Sequence, residues 1–289
     1  VLPYFGDEDE FHMGFHFPIM PRLYMALRQS NTMPLVDILA RTPPISKTNQ
    51  WCIFLRNHDE LTLEMVTEAE REWMWQEFAP DQRMRLNLGI RRRLAPLLDN
   101  DVRKIALMKS LLLTLAGSPI IYYGDEIGMG DDIWLSDRNG VRTPMQWNDQ
   151  MNAGFSTADE RKLYTPVVGD DVYGYKIVNV TDQQSYPGSL LWLIRRMIAV
   201  RKQHRVFGRG DFTWVSCDTE QVAAYLRSSP AEQLLILNNL SANTQMIESL
   251  LPHWQDGVLY DLLTGAQFPV YGGVLALTLT PYQYLWLAR

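Results

Sequence analysis

A short apolar run that stops abruptly at a polar cluster constrains the fold of this chain more than any other feature. The run spans Trp51–Leu55 and the cluster spans Arg56–Asp59. A continuous apolar run of this length, bounded by polar residues, is typical of a strand that is buried on both faces. Parallel barrels keep their chemistry at the carboxyl ends of such strands. We therefore expect the polar cluster to form part of an active site.

The composition favours a globular protein with a small neutral ligand. Of the 289 residues, 46% are hydrophobic and 21% are charged, which is an ordinary balance for a packed core. The formal net charge of -6 argues against nucleic acid and anionic membrane as partners, because both select basic surfaces. The apolar stretch Ile105–Tyr123 is interrupted by Lys109, Gly117 and Pro119, so it predicts a buried helix and a strand, and no membrane span.

Cysteine usage bears on the compartment. The chain has two cysteines, Cys52 and Cys217, which are too few for a disulfide scaffold and compatible with a reducing environment. We therefore expect a cytoplasmic protein.

The first two thirds of the chain read as strands and helices in alternation. Residues Phe11–Phe17 alternate large apolar side chains with smaller or polar ones and predict a strand. Asp101 can cap a helix whose apolar face runs to Leu115, and Ser118–Tyr123 then predicts a second buried strand. A strand, a helix and a strand in this order form a βαβ unit, which favours a parallel sheet.

The pattern changes along the rest of the chain. Residues 124–188 carry little periodicity, and so long a loop inside a compact domain is usually functional. A helix is predicted over Leu190–His204. From Phe207 onward, short runs with β-propensity recur between turn residues and predict an antiparallel sandwich. These runs are Phe212–Val215, Val222–Leu226, Leu234–Leu237, Val258–Leu262 and Val274–Leu279.

Three motifs in the right order carry a family resemblance. Residues Phe54–Asp59, Gly117–Glu126 and Asp137–Trp147 together resemble the α-amylase superfamily of glycosidases and glycosyltransferases. Residues Gly89–Leu98 and Gly124–Asp131 are similar to its trehalose synthase branch, the maltose α-glucosyltransferases. The resemblance covers nearly the whole chain.

The resemblance implies a fold of the class α/β plus all-β. Residues 1–206 would be the carboxyl-terminal part of a (β/α)8 catalytic barrel, with its last three strands and helices. Residues 207–289 would be an antiparallel β-sandwich domain. Strands Phe11–Phe17, Trp51–Leu55 and Ile120–Tyr123 would be the sixth, seventh and eighth of the barrel. The resemblance places the Asp nucleophile and the Glu acid/base in an amino-terminal half outside this chain.

The implied chemistry assigns roles to the polar cluster. Retaining transfer from an α-glucoside needs two carboxyl groups roughly 5–5.5 Å apart, and Asp59 alone cannot supply both. The resemblance gives Asp59 a third role, that of a transition-state stabiliser which hydrogen-bonds sugar hydroxyls, with His58 beside it as a donor. Asn57 belongs to the same substrate-binding group. Arg142 matches the family arginine that reaches the bound glucose.

Alternatives stay open for these residues. Arg142 could instead tie its loop to the barrel by an ion pair. Asp59 could cap a helix, and His58 could serve packing alone. Glu60 and Glu64 are candidates for substrate binding, although an acid-rich helix start would give the same pattern. Arg56 is expected to support the cluster from beneath.

The remaining charged and metal-ligating residues favour structural roles. The arginines Arg91–Arg93 predict a solvated or packing face. His12 and His16 share a strand face without a third ligand nearby, so packing is favoured over a metal. Asp131, Asp132 and Asp137 lack the spacing of a calcium loop, so we predict no metal and no organic cofactor in this chain. A structural calcium would belong to the portion outside it.

Three functions remain in competition. The first is a trehalose synthase that interconverts maltose and trehalose, with a disaccharide as its partner and with this chain inactive alone. The second is a hydrolytic relative such as an oligo-1,6-glucosidase, which residues 83–100 disfavour. The third is a non-catalytic carbohydrate-binding or assembly fragment. Exposed sheet edges and apolar surface would then predict a homo-oligomer, or association with the missing amino-terminal half.

Overall fold

The computed structural model describes residues 2–250, 254 and 256–289. The chain divides into two compact units, and each is assembled from separate stretches of sequence. The first unit contains Val1–Ile53, Leu107–Pro119 and Arg196–Arg289, and the second contains Phe54–Ala106 and Ile120–Arg195. The predicted boundary near Phe207 stays a prediction.

The elements follow each other in the order expected of an α/β portion and then a β portion. The helices are α1 (Ile19–Gln29), α2 (Met33–Arg41), α3 (Glu68–Phe78), α4 (Leu94–Leu97), α5 (Val102–Thr114), α6 (Val180–Ser185), α7 (Leu190–Gln203) and α8 (Val206–Arg209). The strands are β1 (Met13–Phe15), β2 (Gln50–Phe54), β3 (Arg85–Leu86), β4 (Gly89–Ile90), β5 (Ser118–Ile120), β6 (Asp211–Trp214), β7 (Val222–Ser228), β8 (Gln233–Asn239), β9 (Gln245–Leu250), β10 (Gly257–Asp261), β11 (Gln267–Tyr271), β12 (Val274–Leu279) and β13 (Tyr284–Ala288).

Strands β1, β2 and β5 form a sheet in that order, and they correspond to the three predicted barrel strands. β1 and β2 pair in parallel, from Met13 opposite Gln50 to Phe15 opposite Cys52. Gly117 precedes β5 with φ of +131°, and a Cβ there would lie 2.6 Å from the carbonyl oxygen of Trp51. Only glycine fits this close approach. The partial α/β fold is therefore confirmed.

β1 is shorter than the predicted Phe11–Phe17 because the next residue, His16, turns the chain into helix α1. The buried His16 ring accepts a hydrogen bond at Nδ1 from the Ile19 N–H (3.1 Å). Its Nε2 lies 2.7 Å from Thr42 Oγ1, which itself donates to the Ile38 carbonyl. Nδ1 thus accepts while Nε2 donates, which is the arrangement of a neutral imidazole.

Stability should therefore depend on pH through His16. Burial lowers the pKa of His16 below its usual 6.5, so the unfolded chain takes up this proton first as the pH falls. We expect the free energy of unfolding to be fully retained above pH 6.5 and to decline as the pH falls from there toward the lowered pKa. Urea unfolding between pH 5 and 8 measures this slope.

The matched control for this prediction is His12, which is exposed on the same segment. His16→Asn should flatten the pH dependence, whereas His12→Asn should leave it in place. An unchanged slope in His16→Asn would contradict the assignment.

The β portion of the described chain is one antiparallel sheet of eight strands, in the order β6-β7-β8-β13-β10-β11-β12-β9. The predicted all-β part is confirmed, and strands β9, β11 and β13 add to the predicted runs. β13, the last in sequence, pairs with β8 and β10 near the middle of the order. One face buries an aliphatic cluster that includes Leu235, Leu237, Leu275 and Leu287.

Helix α5 and the β strands share contacts inside the first unit. Trp286, fully buried, packs its ring 5.1 Å from that of Phe207, and its Nε1 donates to Ser110 Oγ (2.8 Å). Arg227 of β7 donates to the carbonyls of Thr114 (2.7 Å) and Leu115 (3.0 Å). These carbonyls end helix α5 and have no intrahelical partner, so Arg227 caps the helix.

In the second unit, helix α3 follows the polar cluster and ends at Phe78. Thr67 begins it with a capping box, in which the Thr67 and Glu70 side chains bond each other's backbone N–H groups. Pro80 follows the end of helix α3, and the chain then forms the hairpin β3–β4.

No helix among the described residues is long and apolar enough to cross a bilayer.

Candidate active site

The backbone of Asp59 is fixed by its neighbours in sequence. Asn57 Oδ1 accepts a hydrogen bond from the Asp59 N–H (2.9 Å), which makes an Asx turn directly after β2. The fully buried Arg56 donates from Nη2 to the Asp59 carbonyl (2.7 Å). Arg56 supports the cluster from beneath, as the sequence analysis expected.

The carboxylate of Asp59 lies among three cationic or ionisable side chains. Its Oδ1 is 2.8 Å from Arg142 Nη2 and 3.0 Å from Arg138 Nε. Its Oδ2 is 3.3 Å from His58 Nε2, and the Asp59 side chain remains 41% exposed. The group is thus held in place by charge and is still accessible to a ligand.

Arg142 also donates from Nε to the His58 carbonyl (2.7 Å). The guanidinium therefore bridges the backbone of His58 and the side chain of Asp59. In this structure the ion-pair alternative for Arg142 is realised. Its contact with a sugar stays a prediction, and a bound sugar would have to share or replace these bonds.

Two tyrosines hold the segment that carries Arg142. Tyr122 donates from its hydroxyl to the Val141 carbonyl (2.9 Å), and Tyr123 donates to that of Thr143 (2.7 Å). Arg93, fully buried, lies 4.8 and 4.6 Å from the two tyrosine ring centroids. Arg142 is thus clamped on both sides in sequence. Burial raises the pKa of Tyr122, which keeps its hydroxyl a donor.

The other two arginines of the run organise the loop after β5. Arg91 donates to the carbonyls of Ile133, Leu135 and Asp137. Arg92 Nε bonds both oxygens of the buried Asp131 (2.9 and 3.0 Å). The three arginines thus pack against the chain, with Arg93 buried and Arg91 and Arg92 partly exposed, which agrees with the predicted solvated or packing face. The acidic residues between 125 and 137 were a signal for the partner of Arg92 alone, because Arg91 bonds backbone carbonyls.

Arg138 is a site residue that the sequence analysis missed. Besides Asp59, it contacts Glu60 (Nε to Oε2, 3.0 Å) and Asp137 (Nη1 to Oδ1, 2.9 Å). It joins the turn before Arg142 to the polar cluster after β2. Its position four residues before Arg142, next to Asp137, was the available signal.

The two glutamates of the predicted group differ in position. Glu60 accepts from Asn87 Nδ2 (2.7 Å), faces Arg138 and is only 13% exposed. Asp59 is therefore the accessible carboxylate of this adjacent pair. Glu64 is exposed, and no hydrogen bond or ion pair among the described residues joins it to the cluster. The substrate-binding roles of Glu60 and Glu64 stay predictions.

A cavity of about 510 Å³ adjoins Arg142 in the same unit. Its lining is largely aromatic and apolar, with few polar groups. The aromatic residues are Tyr123, Trp147, Phe155 and Tyr164, and the polar ones are Glu126, Arg142, Thr143 and Thr165. Ligand sites in proteins typically have this size and composition.

The part of the chain that the structure describes contains no group of three His, Cys, Asp or Glu residues arranged to hold a metal ion. Both ring nitrogens of His16 are hydrogen-bonded, to Ile19 and Thr42, and the Asp131 carboxylate forms an ion pair with Arg92. The predicted lack of a metal and of an organic cofactor stays a prediction.

The arrangement can bind and polarise a polyhydroxylated ligand. Asp59 offers acceptors, His58 offers a ring nitrogen, and Arg142 offers a planar fork of donors that suits paired oxygens. Asp59 can stabilise positive charge that develops next to it. Retaining glycosyl transfer additionally requires a nucleophile and an acid/base.

Comparison with known proteins agrees with this chemistry. The family model of the α-amylase catalytic domain matches residues 5–210, and that of the maltogenic amylase C-terminal domain matches residues 212–286. An α-amylase from H. orenii has the same fold, with a TM-score of 0.71 over 100% of this chain and 50% of that chain, at 21% identity.

Curated relatives are closer in sequence. The trehalose synthase/amylase of Mycobacterium tuberculosis (strain H37Rv) is 51% identical over 294 residues, which cover 99% of this chain and 49% of the relative. The trehalose synthase of Pimelobacter sp. (strain R48) is 49% identical over 300 residues, 99% of this chain and 52% of the relative. An oligo-1,6-glucosidase from Bacillus cereus is 25% identical over 216 residues, which cover 63% of this chain and 37% of the relative.

The chain spans about half the length of these trehalose synthases. The catalytic-domain match extends over well more than half of the chain and includes the polar cluster, Arg138 and Arg142. This chain belongs to the α-amylase family.

Proposed function

We propose that this chain is the carboxyl-terminal portion of an enzyme that interconverts maltose and trehalose by retaining α-glucosyl transfer. The observation that carries the proposal is identity of about half of all positions with trehalose synthases over 99% of the chain. The oligo-1,6-glucosidase relative shares only a quarter, over a shorter part. This difference favours the isomerase over the hydrolase.

The polar cluster would hold the glucosyl unit that is transferred. Asp59 would accept hydrogen bonds from hydroxyls next to the anomeric carbon, and these bonds would strengthen as that carbon becomes positively charged. His58 would donate to the same ring, with Asn57 keeping the turn in shape. Arg142 would donate hydrogen bonds to hydroxyls of the same glucose, and these bonds would replace part of its present contact with Asp59.

The nucleophile and the acid/base would come from residues outside this chain. Asp59 is the accessible carboxylate in the described cluster, whereas Glu60 is engaged by Asn87 and Arg138. We therefore propose that the chain alone does not turn over maltose. Exclusion of water from the completed pocket would decide between transfer and hydrolysis.

The test uses a chimaera in which these 289 residues replace the matching half of the trehalose synthase of Mycolicibacterium smegmatis, which is 50% identical. The chimaera and the 289-residue chain are each incubated with maltose, and trehalose and glucose are quantified by chromatography. Trehalose from the chimaera and none from the chain alone is expected. Glucose as the dominant product would favour the hydrolytic relative, and turnover by the chain alone would contradict the role given to Asp59.

We propose a maltose-like disaccharide as the ligand, a cytoplasmic location, and association with a complementary amino-terminal half or a second copy. β1 is an edge strand of its sheet, and Met13 and Phe15 on it are exposed. An open edge with apolar side chains favours pairing with another strand. Light scattering of the chain alone would return a monodisperse monomer if this association is absent.

A further inference from the structure

We infer that another cavity, at the amino ends of β2 and β5, binds a phosphate group, either free or carried by a small sugar. Its volume of about 360 Å³ is typical of a ligand site. Gln50 and Trp51 at the start of β2 line it, together with Gly117 directly before β5. The polar cluster, by contrast, follows the carboxyl end of β2, so the cavity and the cluster share no residue.

The charged side chains of the lining are mostly basic. Lys47, Arg209 and Arg227 line this basic cavity, and Asp211 is the acidic residue beside them in the described part of the chain. Lys47 and Arg209 are exposed, whereas Arg227 is 1% exposed. Ammonium and guanidinium groups are the side chains that bind phosphate in proteins. The lining therefore favours an anionic ligand over a neutral sugar.

Two arginines bring positive charge to the end of helix α5, next to the basic cavity. Arg227 donates to the carbonyls of Thr114 and Leu115, and Arg201 donates from Nη2 to that of Gly117 (3.1 Å). Among the described residues, the hydrogen bonds of both guanidiniums go to backbone carbonyls and none goes to a carboxylate. A helix C-terminus is equivalent to roughly half a negative charge, which offsets only part of two full positive charges.

Burial makes this uncompensated charge costly. It lowers the pKa of Arg201 and of Arg227 to about 10, and for Arg201 the positive charge of Arg227 adds to the effect. Both guanidiniums stay protonated at neutral pH. A charge in a low-dielectric interior without a counter-ion is destabilising, so an anion in the adjoining cavity would lower the free energy of the folded chain.

Two carboxylates outside the lining are engaged by other side chains. Ser46, which lines the basic cavity, donates to Glu8, and the carboxylate of Glu232 contacts the ring of His204. The carboxylate of the lining itself is that of Asp211, which is exposed, so solvent and salt screen its charge. The acidic side chains thus leave room for an anion.

Neutral donors and a fixed rim complete the site. Ser228 Oγ accepts from Gln233 Nε2 (3.1 Å), which leaves the Ser228 hydroxyl hydrogen available to a ligand in the cavity. Arg209 donates from Nη1 to the Lys47 carbonyl (2.8 Å) and so holds the two exposed cationic residues together. Donors that are in place before binding lose less entropy when the ligand arrives.

The test is isothermal titration calorimetry of the 289-residue chain with inorganic phosphate, glucose 6-phosphate and glucose, at constant ionic strength. Phosphate should bind saturably. Arg209→Gln and Lys47→Gln should each raise the Kd for phosphate about 10-fold, the order of one lost charge-assisted hydrogen bond. Both side chains are exposed, so their replacement should leave the fold intact.

Arg205→Gln is the matched control. Arg205 is exposed, directly precedes helix α8, which carries Arg209, and does not line the basic cavity. Its replacement should leave the Kd for phosphate unchanged.

The three ligands separate the possible outcomes. Tighter binding of glucose 6-phosphate than of phosphate would assign the site to a phosphorylated sugar, and equal binding would assign it to free phosphate. Absence of saturable binding of both, or a Kd unchanged in both Arg209→Gln and Lys47→Gln, would overturn the site. Binding of glucose that Arg209→Gln weakens as much as binding of phosphate would overturn it too, in favour of a neutral sugar. Trehalose formation by the chimaera tests the proposed function independently of these results.

Discussion

Replacing Asp59 by Asn in the chimaera is expected to lower kcat for trehalose formation about 10²- to 10³-fold, the range found when one preorganised charge-stabilising group is removed. The amide keeps the shape of the carboxylate but loses its negative charge. The bonds that Asp59 would make to sugar hydroxyls strengthen only as positive charge develops at the anomeric carbon. The loss should therefore fall equally on kcat and kcat/KM, with KM nearly constant.

The fold should survive this substitution. Asp59 is 41% exposed, and surface ion pairs such as those with Arg138 and Arg142 contribute about 1 kcal/mol or less. Asp149→Asn is the matched control, since Asp149 is exposed in the Arg142 loop and outside the cluster. An Asp59→Asn chimaera with kcat within a factor of about two of the parent would remove Asp59 from the mechanism.

Local patterns were enough to predict the α/β part of the fold. The run Trp51–Leu55 is continuously apolar because its successive residues Cys52–Leu55 are all buried, so both faces of the strand are covered. The helix after Asp101 was predictable because all of its positions from Ile105 to Leu115 are buried and most of them are apolar. Sustained burial leaves a run of apolar residues in the sequence.

The strand order of the β portion could not be predicted in the same way. β13 pairs with β8 and β10, which are far from it in sequence, and local propensity carries no information about such partners. β9 contains Gln245, Glu248 and Ser249 and so lacks a strong strand signal by composition. It pairs along its whole length with β12.

The candidate site divides in the same way between local and distant contacts. The Asx turn of Asn57 and Asp59 spans two residues, so a tripeptide motif was sufficient to suggest it. The arginine contacts, by contrast, join residues that are distant in sequence. Arg92 and Asp131 are 39 residues apart, and Arg138 and Glu60 are 78 residues apart. Charge alone left each arginine many equally good partners, and only the folded chain decides which of them it contacts.

The Arg92–Asp131 pair matters to the site because it anchors the loop that carries Arg138. Asp131 is almost completely buried and accepts from both Arg92 Nε and the Arg93 N–H (2.6 Å). The loop then returns to the polar cluster through Arg138. A substitution at Asp131 should therefore change the position of Arg138 and so its ion pair with Asp59, although Asp131 does not itself contact Asp59.

Asp131→Ala is expected to lower the free energy of unfolding by about 3–5 kcal/mol, because it leaves a guanidinium and a backbone N–H buried without their acceptor. Urea unfolding followed by circular dichroism measures the loss. Asp132→Ala is the control. Among the described residues, the Asp132 side chain accepts one hydrogen bond, from the Trp134 N–H (2.9 Å), so a loss of about 1 kcal/mol is expected.

A double variant separates the charge pair from the shape of the loop. Arg92→Met with Asp131→Leu removes both charges, and apolar replacement of a buried pair is often nearly neutral. We expect it to recover most of the stability lost in Asp131→Ala, while maltose turnover by the chimaera stays low because the Arg93 N–H still lacks its acceptor and the loop before Arg138 shifts. If Asp131→Ala alone lowers the free energy of unfolding by less than about 1 kcal/mol, the Arg92–Asp131 pair does not hold the loop. The position of Arg138 would then have another cause.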